Sequence, residues 1–368
     1  MTMKSKSTKR AGRTLSLVLI QILLTVAVLT CFDLFHHVLP ERKQQREGMI
    51  QPIGTVAGTA FAAEPEATAV AETAAGPEPT AAAEEMLVQT AEPAPAVAPE
   101  LTAEPAPPTL RERFADRFTA ETIVTDSAYT SANLAVSVEK VERPAAFPDM
   151  TYFVADIYVA DVDCFRAAFP LNGTYAEAKY IARGNEAVLA VNGDCMIAIQ
   201  QGLVVRNGMI YQQSPGISDY CILYPDGSMA TLGSGTCTEE EILAQGPLQV
   251  WQFGPMLLDE NGEPLEEFNI SSSLLAKNPR TALGYYEPGH YCFVVVDGRQ
   301  GGYSDGATME EMARLMSSLG CTAAFNLDGG ASSAMVFRGE LVNRPSGTRE
   351  INDLLIIREP EGVQDETP

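Results

Sequence analysis

The segment 278–335 reads NPRTALGYYEPGHYCFVVVDGRQGGYSDGATMEEMARLMSSLGCTAAFNLDGGASSAM, and it decides the predicted fold class. The apolar, β-branched run 291–297 predicts a buried strand. A capping box at Thr308 and Glu311 then begins a helix, whose apolar residues recur at helical spacing until a glycine ends it. A second apolar run, 322–327, follows. Strand, helix and strand in this order predict a βαβ unit with two parallel strands.

Each predicted strand ends in an aspartate followed by glycine, Asp297-Gly298 and Asp328-Gly329. Sites in open parallel sheets form outside the carboxyl ends of the strands. If the two strands are neighbours, both carboxylates and the Arg299 guanidinium lie close together. An isolated Asp-Gly pair is often only a turn, which is the alternative for each pair taken alone. Two such pairs at the ends of adjacent strands predict a site.

The remainder of the domain mixes strand and helix signals. Strands are predicted at 133–140, 151–159 and 187–191, and helices at 109–121, 175–183 and 238–244. Asn-Gly and Asp-Gly pairs between apolar runs predict hairpins. We therefore predict an α+β fold: a single globular domain with a mixed, partly parallel sheet, in which the βαβ unit carries the site.

The chain before this domain predicts export. Residues 1–13 are a basic, cytoplasmic tail, and the apolar run 14–36 is long enough for a transmembrane signal anchor that leaves the rest of the chain outside. A cleaved signal peptide is the alternative, because 60–62 (Ala-Phe-Ala) has the small residues of a cleavage site, although it lies far beyond the apolar run. Both alternatives export the domain.

Residues 37–108 are predicted to be a disordered stalk. From residue 51 onward this segment is mostly Ala, Pro, Glu and Thr without Lys or Arg, and it lacks the apolar content that offsets the entropy of ordering. The predicted domain spans 109–360 and begins with a leader helix. Residues 361–368 form an acidic tail.

Charge and cysteine content exclude several classes of protein. The net charge of −23 argues against nucleic acid as a partner. Seven cysteines include no Cys-x-x-Cys pair, which argues against zinc ribbons and thioredoxin-like redox sites. Cys292 and Cys321 begin the two strands of the predicted βαβ unit and could lie side by side. Buried free thiols and disulfides both remain open for the cysteines of the domain.

Histidine-based chemistry is also disfavoured. Of three histidines, His36 and His37 lie in or beside the apolar N-terminal run, which leaves His290, at a strand start, as a structural residue. The nucleophile elbow, the zincin motif, the Walker loop and the dinucleotide fingerprint are all absent from the sequence. Carboxylates, arginines and backbone amides remain, and hydrolysis at an anomeric carbon needs that set.

Several motifs together resemble the phosphodiester glycosidase family. They are NPRTALG (278–284), VVDGR (295–299), GYSDGATMEEMA (302–313) and NLDGGASSAM (326–335), and shorter pieces agree in order at 152–158, 191–194, 252–256 and 343–346. The resemblance extends over about 129–357. It implies an extracytoplasmic hydrolase that cleaves a sugar-1-phosphodiester, at the bond between the anomeric carbon and the phosphate oxygen, in a surface polysaccharide or glycoconjugate.

The resemblance also implies roles for individual residues. Asp328 and Asp297 would form the acid/base or nucleophile pair, with Asp194 in reserve. The leaving group is a phosphate monoester, already a good anion, so its binding matters more than acid assistance. The implied substrate-binding residues are Arg280, Arg299, Ser332 and Ser333 with Gly329 and Gly330 at the phosphate, and Asn192, Asn326 and Thr281 at the sugar.

No cofactor is demanded, although so many aspartates are compatible with a divalent metal. The expected partners are a carbohydrate phosphodiester and, through the N-terminal helix, a membrane; neither nucleic acid nor a protein partner is implied. The alternative function is a non-catalytic glycan- or phosphopolymer-binding or exopolysaccharide-assembly protein. A phosphatase or nuclease is a weaker option, because it would call for metal ligands that often include histidine.

Overall fold

The computed structural model describes residues 51–56 and 107–360. The predicted cytoplasmic tail, signal anchor and acidic C-terminal tail lie outside these residues, as does most of the predicted stalk. Within the described ranges, no helix combines the length and apolar character that a membrane crossing requires.

Four short helices and twenty strands make up the described chain. The helices are α1 (Leu110–Arg113), α2 (Ala178–Gly184), α3 (Glu239–Ala244) and α4 (Met309–Ser318). The first ten strands are β1 (Gly54–Thr55), β2 (Ile123–Val124), β3 (Ala128–Thr130), β4 (Leu134–Glu142), β5 (Thr151–Val159), β6 (Phe165–Ala168), β7 (Ala176–Glu177), β8 (Leu189–Asn192), β9 (Leu203–Arg206) and β10 (Met209–Gln213). The others are β11 (Tyr220–Leu223), β12 (Met229–Leu232), β13 (Gln249–Trp251), β14 (Arg280–Glu287), β15 (His290–Val296), β16 (Ala323–Asn326), β17 (Met335–Phe337), β18 (Glu340–Leu341), β19 (Glu350–Ile351) and β20 (Leu354–Ile357).

The strands form three main sheets. A seven-stranded sheet has the order β16-β14-β15-β5-β4-β3-β2, a six-stranded sheet β1-β10-β9-β13-β11-β12, and a five-stranded sheet β18-β17-β8-β20-β6. β19 and β7 make a separate pair. The strand pairs of the described chain are antiparallel. The domain is therefore mostly β, with several antiparallel sheets.

The predicted partly parallel sheet and its βαβ unit are wrong. β14 lies between β15 and β16 and pairs antiparallel with both. An uninterrupted apolar run is typical of a parallel strand, but it fits equally well any strand that is buried on both faces. β15 is instead a central antiparallel strand buried on both faces: Phe293 packs in the core between the sheets, whereas Val294 packs in a second cluster with Met312 and Met316 of α4.

The predicted helix termini of α4 are confirmed. Thr308 accepts a hydrogen bond from the Glu311 N–H, the Glu311 carboxylate caps the Thr308 N–H in return, and Gly320 follows the helix with φ of +83°. The predicted capping box at Thr238 and Glu241 likewise begins α3. Both helices start where the sequence places side-chain acceptors for unpaired backbone N–H groups.

Two N-terminal segments differ from the prediction. The leader helix ends at Arg113 rather than near 121, and the next residue, Phe114, packs edge-on against Tyr158 with 5.1 Å between ring centroids. Within the predicted stalk, β1 pairs with β10, and Val56 is buried beside it. A short apolar stretch of the stalk thus adds an edge strand to the six-stranded sheet.

Candidate functional site

One edge of the seven-stranded sheet gathers the charged residues of the predicted site. β15 ends at Val296 and is followed by Asp297, and β16 ends at Asn326, two residues before Asp328. β14 begins at this edge, because Arg280 pairs with Val296. Two antiparallel steps make β15 and β16 point the same way. The prediction of one common edge therefore holds, although the strands are not neighbours.

β8 of the five-stranded sheet meets this edge through Asn192. The Asn192 amide donates to the Asp328 carbonyl at 2.7 Å, and its oxygen accepts from the Thr281 hydroxyl at 2.6 Å. Asn192 also accepts from the Ala334 N–H. Its side chain is buried and fully hydrogen-bonded within the protein, so it fixes the Asp328 turn against β14.

Asp328 is the partly exposed member of the three predicted acids, whereas Asp297 and Asp194 are buried at 1% and 0% relative exposure. The Gly329 N–H donates to the Asp328 carboxylate at 2.8 Å. Burial raises the pKa of Asp328 and the charge of Asp194 adds to this, while the Ser332 hydroxyl, the Gly329 N–H and Arg349 oppose it. Asp328 is thus a poorly solvated carboxylate that solvent can still reach.

Arg280 and Arg299 supply positive charge without a counter-ion. Among the described residues, neither guanidinium has a carboxylate within the 4.0 Å of a salt bridge. Arg280 donates to the carbonyls of Ala307 at 3.0 Å and Ala276 at 2.7 Å, and also to that of Leu274. Burial and the charge of Arg299 lower the pKa of Arg280 to about 10. Uncompensated charge of this kind favours an anionic ligand.

Arg299 lies against the glycine turn after β16. Its backbone is left-handed, with φ of +59°, and its guanidinium donates to Asn278 Oδ1 at 2.8 Å. A Cβ on Gly330 would lie 3.3 Å from Arg299 Nη2. A Cβ on Gly329 would lie 2.7 Å from the Pro279 carbonyl oxygen, so only glycine permits this approach. Arg299 itself is exposed and can reach a ligand.

The turn offers hydroxyls, whereas the N–H groups of its two glycines are used within the protein. The Gly329 N–H is used by Asp328, and the Gly330 N–H donates to the Pro279 carbonyl at 2.9 Å. The buried Ser333 hydroxyl has no hydrogen-bond partner among the described residues, and the Ser332 hydroxyl lies close enough to the Asp328 carboxylate to lower its pKa without making a hydrogen bond of normal geometry. Such groups are costly when left unsatisfied, and a polar ligand would satisfy them.

Asp297 is held on all sides. Its carboxylate accepts from the Tyr303 hydroxyl at 2.9 Å, from Asn343 Nδ2 at 2.8 Å and from the Arg344 N–H at 3.0 Å. Burial raises the pKa of Asp297, and these donors oppose the shift. The carboxylate therefore joins the loop after β15 to the loop after β18. The motifs at 302–313 and 343–346 contain all three residues, but nothing local in the sequence indicated that they meet Asp297.

Asp194 belongs to a buried cluster that the sequence did not reveal. Arg206 donates to Asp194 and, at 3.3 Å, to Asp353, and all three side chains are essentially inaccessible. The Gln252 N–H donates to the second Asp194 oxygen at 2.9 Å. Burial and the charge of Asp194 raise the pKa of Asp353 to about 7, although Arg206 opposes this. Gly193 leaves room for the cluster, since a Cβ there would overlap Asp353 Oδ2.

An open cavity of about 420 Å³ is lined in part by Gln252, whose N–H donates to Asp194. Its lining includes Gln252 and Phe253, which the motif at 252–256 had indicated, together with Gln200 and Ser218. Asn326 connects β16 to this wall by donating to the Gly254 carbonyl at 2.9 Å, and its own side-chain oxygen is buried without a partner among the described residues. The cavity wall thus offers amide and hydroxyl groups beside an aromatic ring, a surface suited to a sugar.

His290 lies at the other end of β15 from this edge. Its ring stacks between Tyr158 and Tyr286, with centroid distances of 4.0 Å and 4.2 Å, and bonds to Asp156 at 2.7 Å. This is the structural position that the sequence predicted. The described chain also holds no group of three or more His, Cys, Asp or Glu side chains arranged to bind a metal ion.

Comparison with known proteins supports the family resemblance. Residues 185–358 match the family model described as phosphodiester glycosidase. The chain is 28% identical over 198 residues to the SPbeta prophage-derived uncharacterized protein YomE of Bacillus subtilis strain 168, covering 50% of this chain and 30% of that protein. It is 26% identical over 192 residues to mouse N-acetylglucosamine-1-phosphodiester alpha-N-acetylglucosaminidase, covering 46% and 35%.

A similar fold is known in the zebrafish N-acetylglucosamine-1-phosphodiester alpha-N-acetylglucosaminidase, whose catalytic domain was solved auto-inhibited by its pro-peptide. The match has a TM-score of 0.51 and 21% identity, and it covers 65% of this chain and 88% of that one. The chain spans about a third of the length of the two curated relatives that it matches. The likeness to the zebrafish structure concerns the fold alone.

Proposed function

Because residues 185–358 carry a phosphodiester glycosidase domain, we propose that the protein hydrolyses sugar-1-phosphodiesters. The products are the free sugar and a phosphate monoester. The proposed reaction agrees with the name of the mouse relative, which describes an enzyme that acts on an N-acetylglucosamine phosphodiester. We extend to this chain the type of bond, between the anomeric carbon and a phosphate oxygen, and not the identity of the sugar.

The uncompensated guanidiniums of Arg280 and Arg299 beside Asp328 carry the proposal. Arg280 is buried and held by backbone carbonyls, so its charge is fixed in position without being neutralised. Arg299 is exposed and can close on a ligand. A phosphodiester provides the missing negative charge and accepts from several donors at once. The hydroxyls of Ser332, beside the Asp328 carboxylate, and of Ser333 add neutral donors in the same turn.

Asp328 is assigned to the reacting centre. Its carboxylate accepts a proton from the attacking water, the C1–O bond breaks, and both electrons of that bond leave with the phosphate monoester. The departing anion is stable, so the positive charge of Arg280 and Arg299 replaces strong acid catalysis. Positioned proton transfer of this kind contributes roughly 10²–10⁴-fold to a rate.

Asp297, Asp194 and Asn192 are assigned positioning roles instead of contact with substrate. Each is buried and bonded to groups that the protein itself provides. Asn326 is assigned to the contact between β16 and Gly254, where its amide donates to the Gly254 carbonyl and its oxygen is buried. The cavity lined by Gln252 and Phe253 is assigned to the sugar.

We place the reaction outside the cytoplasm, on a surface polysaccharide or glycoconjugate. The support comes from the sequence, in which a basic tail precedes the apolar run 14–36 that we interpret as a signal anchor. The strongly negative net charge is compatible with an extracytoplasmic domain and disfavours nucleic acid as substrate.

The test uses the full chain and a synthetic α-linked sugar-1-phosphodiester, with sugar and phosphate monoester quantified in parallel. We expect equal release of both by the wild type and by Asp116→Asn, an exposed acid on another part of the surface. Asp328→Asn should abolish release. Inclusion of a chelator tests for a metal requirement. Binding of phosphodiesters without turnover, over a panel of sugars, would instead identify a glycan-binding protein.

A further inference from the structure

Two buried cysteines meet within the seven-stranded sheet. Cys292 lies on β15 and Cys321 lies two residues before β16, and their sulfur atoms are 3.6 Å apart. Their side chains are buried, with 0% and 3% relative exposure. Of the six cysteines within the described ranges, these two alone bring their sulfur atoms within 4.0 Å of each other.

The contact is made possible by a glycine on the intervening strand. β14 separates β15 from β16, and Gly284 of β14 pairs with Cys292 on one side and Ala324 on the other. A Cβ on Gly284 would lie 2.6 Å from both sulfur atoms and 2.7 Å from Met316 Cε. The absence of a side chain therefore leaves the space in which the two thiols meet above β14.

We propose that Cys292 and Cys321 form a disulfide in the exported protein. Each thiol gives up its proton and the pair gives up two electrons, which a disulfide donor such as oxidised glutathione accepts to become two thiols. A disulfide requires about 2.05 Å between sulfur atoms, so the sulfurs must approach by about 1.5 Å. Cys321 precedes the paired residues of β16, so we expect the movement to come from the Cys321 backbone together with rotation of both side chains.

The environment indicates when the bond forms. The contact with Cys321 raises the pKa of the Cys292 thiol well above its usual range, and burial adds to this effect. Thiol–disulfide exchange requires a thiolate and access for the oxidant. Oxidation is therefore expected during folding, before the sheet closes over the thiols, and a natively folded reduced protein should oxidise slowly.

The disulfide would join the strands that carry the proposed site. Cys292 and Cys321 are 29 residues apart, and the loop they close contains Asp297, Arg299 and all of α4. The bond lies at the end of the strands away from Asp328. It should therefore leave turnover at moderate temperature unchanged and raise thermal stability, since a loop of this length restricts the unfolded chain.

The experiment compares two samples of the full chain, one folded with oxidised glutathione and one folded with a reductant. Each sample is then denatured and alkylated, and it is analysed by intact mass and by peptide mapping. We expect the oxidised sample to contain a peptide that links Cys292 to Cys321, and its melting temperature to be higher by about 5–10 °C. Cys164→Ser, which removes a buried thiol without a sulfur neighbour, should retain this redox-dependent difference.

The double variant Cys292→Ser and Cys321→Ser should melt at one temperature under both conditions. If that variant does not fold, the wild-type peptide map decides alone. Complete alkylation of both cysteines after folding with oxidised glutathione would overturn the proposal. A map that links either cysteine to a different partner would overturn it as well.

Discussion

Asp297 and Asp328 are each followed by glycine and lie at the same edge of the same sheet, yet they have different surroundings. Asp297 is buried and accepts hydrogen bonds from Tyr303, Asn343 and the Arg344 backbone. Asp328 is partly exposed and receives one N–H from its own turn. The local sequence therefore does not decide the role of an Asp-Gly pair at a strand end. The number of hydrogen-bond donors that distant parts of the chain bring to the carboxylate decides whether it anchors the structure or stays open to a ligand.

The Asp194 cluster extends the comparison, because it places two carboxylates around one buried guanidinium. Arg206→Met should remove that guanidinium and leave the carboxylates of Asp194 and Asp353 unpaired in the core. We expect a loss of about 3–5 kcal/mol in the free energy of unfolding, measured by denaturant titration. Lys277→Met, which removes a half-exposed cation beside the two carboxylates of Asp149 and Glu311, is the matched control and should cost less than about 1 kcal/mol. Equal losses would show that the buried cluster contributes no more to stability than a surface ion pair does.

Arg299 tests the proposal that the exposed surroundings of Asp328 bind the phosphate. Arg299→Met should raise KM for a sugar-1-phosphodiester by about 10–100-fold, the loss of a charge-assisted contact of roughly 1.5–3 kcal/mol, with little change in melting temperature. Arg299→Lys should recover part of the affinity, because it restores the charge but not the planar fork. An unchanged KM in Arg299→Met would show that this guanidinium does not hold the phosphate.

Tyr303 tests the proposal that Asp297 has a structural role. Tyr303→Phe removes one donor to the Asp297 carboxylate and should lower the free energy of unfolding by about 1 kcal/mol. The rate per folded molecule should stay within about threefold of the wild type, since the two remaining donors hold Asp297. A large fall in kcat at unchanged stability would mean that Asp297 takes part in the reaction.

The last prediction concerns the pH dependence of stability. The pKa of Asp353 is raised to about 7 in the folded protein, above the usual aspartate value of about 3.9. Between these values the folded state keeps a proton that the unfolded state has lost, so this group's contribution to stability falls as pH rises and is constant above the window. Asp353→Asn should remove that decline when unfolding is measured across the window. An unchanged pH dependence would contradict the assignment.

The local features of the fold could be predicted from the sequence, because they depend on neighbouring residues. Thr308 and Glu311, and Thr238 and Glu241, mark helix starts through bonds between residues three apart. The Asn207-Gly208 pair makes the two-residue turn between β9 and β10, with both residues at positive φ. The common edge for Asp297 and Asp328 also followed from where their strands end.

The order of the strands could not be predicted. An apolar run such as Tyr291–Val296 is expected of any strand buried on both faces, so it does not distinguish a parallel strand from the centre of an antiparallel sheet. The insertion of β14 between β15 and β16 depends on long-range pairing. For the same reason Arg206 and Asp353 were missed, since 147 residues separate them and neither has a motif around it.

The most direct test of the account measures kcat and melting temperature together for Asp328→Asn and Asp297→Asn in the full chain. We predict that Asp328→Asn loses about 10³-fold or more in kcat while its melting temperature stays within about 2 °C of the wild type. Asp297→Asn should melt several degrees lower, because its new amide faces donors, and should keep kcat per folded molecule within about tenfold. The reverse pattern, with Asp297→Asn folded but inactive and Asp328→Asn active, would contradict the account.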